Sequence, residues 1–421
     1  MKDDIARFAL DPCAGSRPLM TVEAAIAQAL SLAAAVGEVE TVPLDDAIGR
    51  VLAQDVTAPF PLPPFDNSAM DGYALRSADL VGDGPWRLKV VARVAAGEDA
   101  AQVAPLTAGQ AVRIFTGAPI LSGADAVVMQ EKLHRDGDSL VLTSPVACGD
   151  CIRRAGEDSE QGAVLLPAGT LIGAREIGAI ASVGLPQISV RRRINVALIC
   201  TGSELRQPGE ALEPGQIYNS NRFMTVAALR QPWISMTDLG AVEDDPNRLR
   251  ETLLQASRKA DLIVTTGGVS VGEEDHMTAQ LRRAGGHVEV MKIARKPGKP
   301  LTVGRLGKAV FVGLPGNPVA AFTTWKIIGQ RVASRLSGQR DTARPGVQAE
   351  VTETFTRRPG RQEYRPARVV GASVDGRPRI ELLDRSFSAK ISLICQSDGL
   401  AVIPAAAEQV SVGARLEFIP L

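Results

Sequence analysis

Three apolar runs, each broken by glycine, constrain the fold of this chain more than any other feature of its sequence. They lie within residues 195–205, 261–275 and 308–322, and each continues into helix-compatible sequence. Unbroken apolar runs of this length are typical of strands that are buried on both faces, as in a parallel sheet covered by helices. We therefore predict a three-layer α/β domain with a mostly parallel sheet.

The residues that follow these runs predict a ligand site, because ligands of such sheets bind outside the carboxyl ends of the strands. Loop amides and helix N-termini at that edge favour an anion such as a phosphate. Two acids there, Glu204 and Asp275, indicate a divalent cation, since carboxylates beside a phosphate would otherwise repel it. The predicted crevice contains Gly202, Ser203, Glu204, Gly267, Gly268, Ser270, Asp275, Gly313, Gly316 and Asn317.

A proline-rich turn at residues 61–75 (PLPPFDNSAMDGYAL) is the second informative segment. Prolines fix φ and remove backbone donors, so this segment cannot be a helix interior or a central strand. Asn67 and Ser68 can fold back on the main chain and stiffen the turn. We expect the turn to hold the carboxylate of Asp71 in a fixed place; an ordinary loop with a capping aspartate is the alternative.

Further candidates for oxyanion binding are three lysines and a threonine. Lys296 and Lys299 flank a Pro-Gly kink, and Lys292 lies just upstream. Lysine binds phosphate and other oxyanions as a point charge. Thr116 follows a strand-like run and could donate to an oxyanion. A solvated turn for the lysines and a β-turn hydroxyl for Thr116 are the ordinary alternatives.

Two more acids lie at turns. Asp245 precedes Pro246 and is predicted to cap a helix, which leaves its neighbour Asp244 without an evident structural role. Asp158 is presented by a second turn, where a capping role is the alternative.

The charge balance and the cysteines exclude several classes of protein. The 421 residues include 47 basic and 47 acidic side chains, so nothing favours nucleic acid as a partner. No run approaches the roughly 20 apolar residues of a membrane span. Residues 24–36 read as an amphipathic helix capped by Thr21, not as a signal peptide, so we expect a cytoplasmic protein. Cys148 and Cys151 form only half a zinc site, and we interpret them as structural or incidental.

Known catalytic motifs are absent or incomplete. Residues 268–272 match the GxSxG pattern of a serine hydrolase, but only His276 and His287 follow, too close to build a triad. The chain has no P-loop, and no GxGxxG opens a helix after the first strand.

The remaining sequence predicts a multidomain chain, since 421 residues exceed one compact core. Short alternating runs separated by Gly and Pro indicate β structure on both sides of the α/β domain. We predict an elongated first domain at 19–56 and 155–192, an inserted β domain at 57–154, the α/β domain at 193–340 and a small β barrel at 341–421.

Taken together, these segments resemble the molybdopterin molybdenumtransferase family, the molybdenum insertases that include the catalytic domain of gephyrin. The resemblance is carried by PFDNSAMDGYA, RIFTGAP, RRAGED, TGSEL, GQIYNSN, TTGGVSVGEED, KPGKP and GLPGNPVAAF. These motifs occur in the family order, span about residues 19–338, and are highly specific as a set. The C-terminal barrel resembles the family more weakly.

The resemblance implies a reaction and its partners. The family takes adenylylated molybdopterin and molybdate, cleaves the phosphoanhydride with a divalent cation such as Mg²⁺, releases AMP and leaves molybdenum on the dithiolene. It implies a homodimer whose cleft joins the α/β domain of one subunit to the first domains of the other. Transient contacts with the adenylyltransferase and with apo-molybdoenzymes are also implied.

The resemblance further implies roles for individual residues. Catalytic roles fall to Asp71, Thr116, Asp158, Glu204, Asp244 and Asp275, and three of these acids, Glu204, Asp244 and Asp275, would bind the metal. Substrate contacts fall to Gly202, Ser203, Gly267, Gly268, Ser270, Lys292, Lys296, Lys299, Pro315, Asn317, Pro318, Arg361, Arg365 and Ser392. The chain departs from the family pattern at Ser203, commonly Asp, and at Leu393, which replaces the second of two C-terminal serines.

Two other functions stay open at this point. One is a non-catalytic pterin-binding scaffold, which the retained acids disfavour. The other is a molybdopterin adenylyltransferase, a family that lacks the Asp71 region and the barrel. The sequence does not distinguish molybdate from tungstate, because both are tetrahedral oxyanions of similar size.

Overall fold

The computed structural model describes residues 19–243, 245–268, 276–340, 346–384 and 388–421. The chain forms two compact units. Within the described residues, the first unit comprises 19–53, Gly169–Gly173 and Gln187–Leu421, and the second comprises Gln54–Ala168 and Ala174–Pro186. None of the helices among the described residues is long and apolar enough to cross a membrane.

The first unit is built around a six-stranded sheet, here called the central sheet. Its first four strands are parallel, and the last two are antiparallel to their neighbours. In spatial order the strands are Ile234–Val242, Ile194–Thr201, Leu262–Thr266, Ala309–Leu314, Pro300–Leu306 and His287–Lys292.

Both faces of the central sheet are buried, which explains the unbroken apolar runs. Along one strand, Val196 and Leu198 pack into a cluster with Trp325 on one face. The alternate residue Ile199 packs with Leu253 on the other face. Since successive side chains of a strand point to opposite faces, a strand covered by helices on both sides must be apolar throughout. The predicted three-layer α/β domain is confirmed.

Two of the predicted helix caps are present. Thr21 Oγ1 accepts from the amide of Ala24 at 3.2 Å, and Asp245 Oδ1 accepts from the amide of Arg248 at 2.8 Å. The predicted helix end near Val36 was wrong, because the helix ends at Ser31 and the Val36 amide donates to the Leu336 carbonyl instead.

The helices of the described residues are Val22–Ser31, Ala174–Ser182, Ser220–Leu229, Pro246–Lys259, His276–Arg283, Pro318–Thr324, the π-helical turn Trp325–Gly329, Gln330–Leu336 and Ile391–Cys395. Short 3-10 turns lie at Leu44–Asp46, Ser77–Asp79, Ala100–Gln102 and Gln130–Lys132.

The predicted C-terminal β barrel is also confirmed. Five strands close on themselves around a core that includes Phe355, Ile380 and Phe418. A two-residue strand, Arg295–Lys296, adds to the barrel strand that begins at Gln362 and runs parallel to it. In ring order the barrel strands are Val347–Val351, Pro378–Leu382, Gln362–Ala372, Gly399–Ile403 and Arg415–Pro420.

The second unit contains a mixed six-stranded sheet, as expected for a β-rich insertion. Its strands lie in the order Ala126–Met129, Gly72–Leu75, Gln110–Ile114, Trp86–Val94, Ser139–Leu142 and Leu133–Asp136. The predicted boundaries of the four domains stay a prediction.

Shorter strand pairs occur in both units. They are Val39–Pro43 with Gln187–Arg191, Val56–Thr57 with Val164–Leu166, Asn67–Ser68 with Ile152–Arg153, Leu205–Arg206 with Ile217–Tyr218, and Phe355–Thr356 with Gln409–Val410.

Candidate functional site

A cleft of about 750 Å³, here called the main cleft, opens at the carboxyl ends of the parallel strands of the central sheet. Its walls come from the loops after three of these strands, from the loop 296–300 (the lysine loop) and from the barrel. Of the ten residues of the predicted crevice, Ser203 and Gly313 do not line this cleft, Ser270 and Asp275 lie outside the described residues, and the other six line it. The predicted site residues that line it are Gly202, Glu204, Gly267, Gly268, Lys296, Lys299, Pro315, Asn317 and Arg361.

Glycines let two strand ends approach each other beneath the main cleft. A Cβ on Gly267 would lie 2.4 Å from the carbonyl oxygen of Thr201, and Gly267 has a φ of +85°. Only glycine fits both the space and the backbone conformation. Nearby, a Cβ on Gly202 would lie 2.6 Å from Oε2 of Glu204, so this carboxylate lies directly against the loop backbone.

The lysine loop is held to the barrel by a buried carboxylate. Glu363, whose side chain is 2% exposed, lies 3.6 Å from Nζ of Lys296. The same carboxylate accepts from Arg365 at 2.6 Å and lies 3.7 Å from Arg357. Lys296 itself is partly exposed and lines the main cleft. The sequence does not predict this role for Glu363, because Lys296 comes from a different segment of the chain.

A second, smaller cleft of about 330 Å³, the side cleft, shares Thr201, Glu204 and Asn317 with the main cleft. Pro318, Asn219 and Asn221 line it as well. Asn219 caps a helix by accepting from the amide of Arg222 at 3.1 Å, and Asn221 donates to the Gly316 carbonyl at 2.6 Å. Both asparagines belong to the motif GQIYNSN, which carries the family resemblance but does not by itself predict a role for either residue.

Several predicted site residues are placed elsewhere or lie outside the described residues. Ser203, Lys292 and Ser392 are absent from the lining of the main and side clefts, within the described ranges. Arg365 is buried in the barrel, where it is paired with Glu363. Ser270, Asp244 and Asp275 lie outside the residues that the structure describes.

The second unit brings Asp71 and Thr116 together. Asp71 Oδ1 accepts both from the Thr116 amide and from the Thr116 hydroxyl, each at 2.8 Å. These two hydrogen bonds, helped by the charge of Arg113, hold the pKa of the Asp71 carboxyl below its ordinary value of 3.8. The exposed Asp71 is therefore a carboxylate with a fixed orientation.

The turn that carries Asp71 is fixed on both sides. The hydroxyl of Ser68 donates to the Met70 carbonyl at 2.6 Å, as expected for a side chain that folds back on the main chain. Asp66 accepts from Arg154 Nη1 at 2.6 Å and from the Ala155 amide at 2.8 Å. These two bonds to Asp66 tie the turn to the segment that leads to the exposed Asp158. The amide of Asp158 in turn donates to the Leu62 carbonyl.

Within the described ranges, no group of three or more His, Cys, Asp or Glu side chains could hold a metal ion. Of the three predicted metal ligands, only Glu204 lies in this part of the chain. Its exposed carboxylate lines the same cleft as two lysines, next to glycine-rich loops. Oppositely charged groups around one cleft suit a polyanion together with a cation.

Family models place the chain in a defined class of multidomain protein. Residues 20–184 match the MoeA N-terminal region (domain I and II), and residues 197–334 match a probable molybdopterin binding domain. Residues 348–421 match the MoeA C-terminal region (domain IV). Together the three matches cover most of the chain and indicate a MoeA-like multidomain fold.

Curated relatives and solved structures agree with these matches. The chain is 38% identical to a molybdopterin molybdenumtransferase of Haemophilus influenzae, over 73% of this chain and 75% of the relative. It is 36% identical to molybdopterin molybdenumtransferase 2 of Mycobacterium tuberculosis, over 90% and 94%. A molybdopterin biosynthesis moeA protein from Pyrococcus horikoshii superposes with a TM-score of 0.81 at 27% identity, covering 96% of this chain and 100% of the other. The chain belongs to the molybdopterin molybdenumtransferase family.

Proposed function

We propose that this protein inserts molybdate into adenylylated molybdopterin and releases AMP in a reaction that depends on a divalent cation. The observation that carries this proposal is the main cleft, in which the lysine loop, glycine-rich strand ends and Glu204 face one another. The substrates are polyanionic, so a cleft lined by ammonium groups and open backbone suits them. Membership of the molybdopterin molybdenumtransferase family gives the reaction class.

In this proposal, different residues bind the anionic groups and the cation. Lys296, Lys299 and Arg361 bind the oxyanion and phosphate groups, and the glycine loops admit the substrate close to the main chain. Glu204 would hold Mg²⁺, which commonly binds through one or two carboxylates plus substrate phosphates, and the ion would neutralise the departing phosphate. Asp244 and Asp275 are the further candidate ligands.

The proposal includes a homodimer in the cytoplasm. The cleft of one subunit would be completed by Asp71, Thr116 and Asp158 of the partner chain, since the family resemblance implies a composite site. Transient contacts would pass the substrate from the adenylyltransferase and the product to apo-molybdoenzymes.

The decisive experiment measures AMP release by the purified protein from adenylylated molybdopterin with magnesium and molybdate, alongside reconstitution of an apo-molybdoenzyme. Both should occur and depend on molybdate. Binding of the adenylate without AMP release would instead identify a pterin-binding scaffold. Consumption of ATP without molybdate would identify an adenylyltransferase.

Glu204→Ala tests the assignment of the cation-binding acid. We expect AMP release to fall at least about a hundredfold, the usual scale for losing a group that stabilises developing charge. The thermal midpoint should stay close to that of the wild type, because the Glu204 side chain is exposed. Glu213→Ala, at an exposed acid outside both clefts, is the matched control and should behave like the wild type. Normal activity of Glu204→Ala would remove the residue from the proposed site.

A further inference from the structure

Arg295 is a fully buried cation directly behind the lysine loop. Arg295 is 0% exposed, and its side chain is one of the largest that are completely buried in the described part of the chain. Nε and Nη2 donate to the carbonyl of Gly298 at 3.1 and 3.0 Å, and Nη2 also donates to the hydroxyl of Thr324 at 2.7 Å. The guanidinium therefore links the lysine loop to the helix Pro318–Thr324.

This arginine differs from the other buried arginines of the described chain. Arg50 pairs with Glu40 and Arg365 pairs with Glu363, each at 2.6 Å. No carboxylate of the described residues lies within 4.0 Å of Arg295, and its Nη1 has no hydrogen-bond partner among them. Burying a charge without a counter-ion is costly, and an apolar side chain of similar volume would avoid the cost.

Arg295 nevertheless remains charged at neutral pH. Burial lowers the pKa of its guanidinium to about 10, still well above 7. Its neighbour Tyr364 does not compensate the charge, because burial raises the pKa of the tyrosine to about 12 and keeps it neutral. A positive charge therefore lies in the low-dielectric interior of the first unit, where its field is screened less than at the surface.

The position of this charge relative to the main cleft is defined by Gly298. A Cβ on Gly298 would lie 2.9 Å from Nη2 of Arg295, 3.5 Å from Cβ of Ala320 and 3.6 Å from Cγ of Pro315. Gly298, Ala320 and Pro315 all line the main cleft. The guanidinium thus lies immediately behind the cleft wall.

We propose that Arg295 is a positioning residue for the oxyanion of the proposed reaction: its buried charge attracts the anion through the cleft wall while its hydrogen bonds to Gly298 fix the lysine loop. The bound anion supplies the counter-charge that no described carboxylate provides within 4.0 Å of this guanidinium. This inference rests on the proposed function only for the identity of the anion.

The test compares Arg295→Met, Arg295→Lys and Thr324→Val in the full-length protein, titrated with sodium molybdate and with inorganic phosphate in a calorimeter. Arg295→Met keeps an apolar volume but removes the charge, so both oxyanions should bind about tenfold more weakly. Arg295→Lys keeps the charge and should restore affinity to within about threefold of the wild type. Arg295→Gln is a second uncharged variant if the methionine variant folds poorly.

Thr324→Val separates charge from structure. It removes the hydrogen bond to the helix but leaves the charge and the Gly298 contact, so the thermal midpoint should fall while oxyanion affinity stays at the wild-type value. Equal affinities for wild type and Arg295→Met would overturn the inference, as would equal weakening in Thr324→Val or no oxyanion binding by the wild type.

Parallel AMP-release assays on the wild type keep this inference distinct from the proposed function. AMP release combined with oxyanion binding that does not depend on Arg295 would overturn the inference and leave the function standing. Oxyanion binding that depends on Arg295 without AMP release would overturn the function alone.

Discussion

Asp71 shows how a single acid is prepared for a defined task at an exposed position. Its carboxylate accepts two hydrogen bonds from Thr116, one from the backbone and one from the hydroxyl. Hydrogen bonds to a carboxylate favour the charged form, so the pKa falls and the side chain stays oriented. Because the pKa in the folded protein is lowered, this contact is at full strength above the ordinary pKa and is lost as the pH falls through the folded value.

Thr116→Ala is predicted to raise the pKa of Asp71 while keeping it below 3.8. The substitution removes the hydroxyl donor but leaves the amide donor and the charge of Arg113. Carboxyl resonances followed by NMR during an acid titration measure the change. Thr107→Ala, at another exposed threonine of the second unit, should leave the Asp71 titration unchanged. An unaltered titration in Thr116→Ala would show that the hydroxyl contact is not formed in solution.

At the scale of elements, the lysine loop depends on the barrel strand beside it. Lys296 pairs with Glu363 in a short parallel ladder, and the buried Glu363 carboxylate lies near Lys296, Arg357 and Arg365. One carboxylate therefore balances several cations in a largely buried place. The barrel contributes to the main cleft through this cluster as well as through Arg361.

Glu363→Gln should destabilise the protein by about 3 kcal/mol, because removing one partner leaves buried cations uncompensated. Urea unfolding measures the loss, and molybdate titration should show weaker binding because the lysine loop loses its anchor. Glu381→Gln breaks an exposed pair with Arg368 on the same barrel and should cost less than about 1 kcal/mol. If both variants unfold at the same urea concentration, the cluster around Glu363 does not anchor the loop.

The sequence predicted the elements whose signals are local. The buried strand that ends at Thr201 could be predicted because both faces of the sheet require apolar residues. The helix cap of Asp245 could be predicted because its hydrogen bonds lie within three residues of it. Arg295 was missed because the Thr324 hydroxyl that it contacts lies 29 residues away in the sequence, and Glu363 was missed because Lys296 comes from a different segment of the chain. Arg365 looked like a substrate ligand by resemblance, yet a buried acid two residues away occupies its guanidinium.

At the scale of the whole molecule, the candidate residues are divided between two units. Glu204 and the lysine loop belong to the first unit, whereas Asp71, Thr116 and Asp158 belong to the second. In the proposed homodimer, each active site draws one set from each chain. A site shared between two chains can be tested by mixing two inactive variants, each of which lacks a different half of the site.

Asp71→Asn and Glu204→Ala should each be nearly inactive alone, yet their mixture should recover activity. In a composite site, one hybrid cleft combines an intact first unit with an intact second unit from the other chain. Random reassembly makes half of the dimers hybrid with one good site each, so about a quarter of wild-type AMP release is expected. Sedimentation establishes that the mixed species is a dimer, and a mixture of either variant with itself is the control. A dimeric mixture without recovered activity would mean that each site is built within one chain, and a monomer at micromolar concentration would remove the composite cleft altogether.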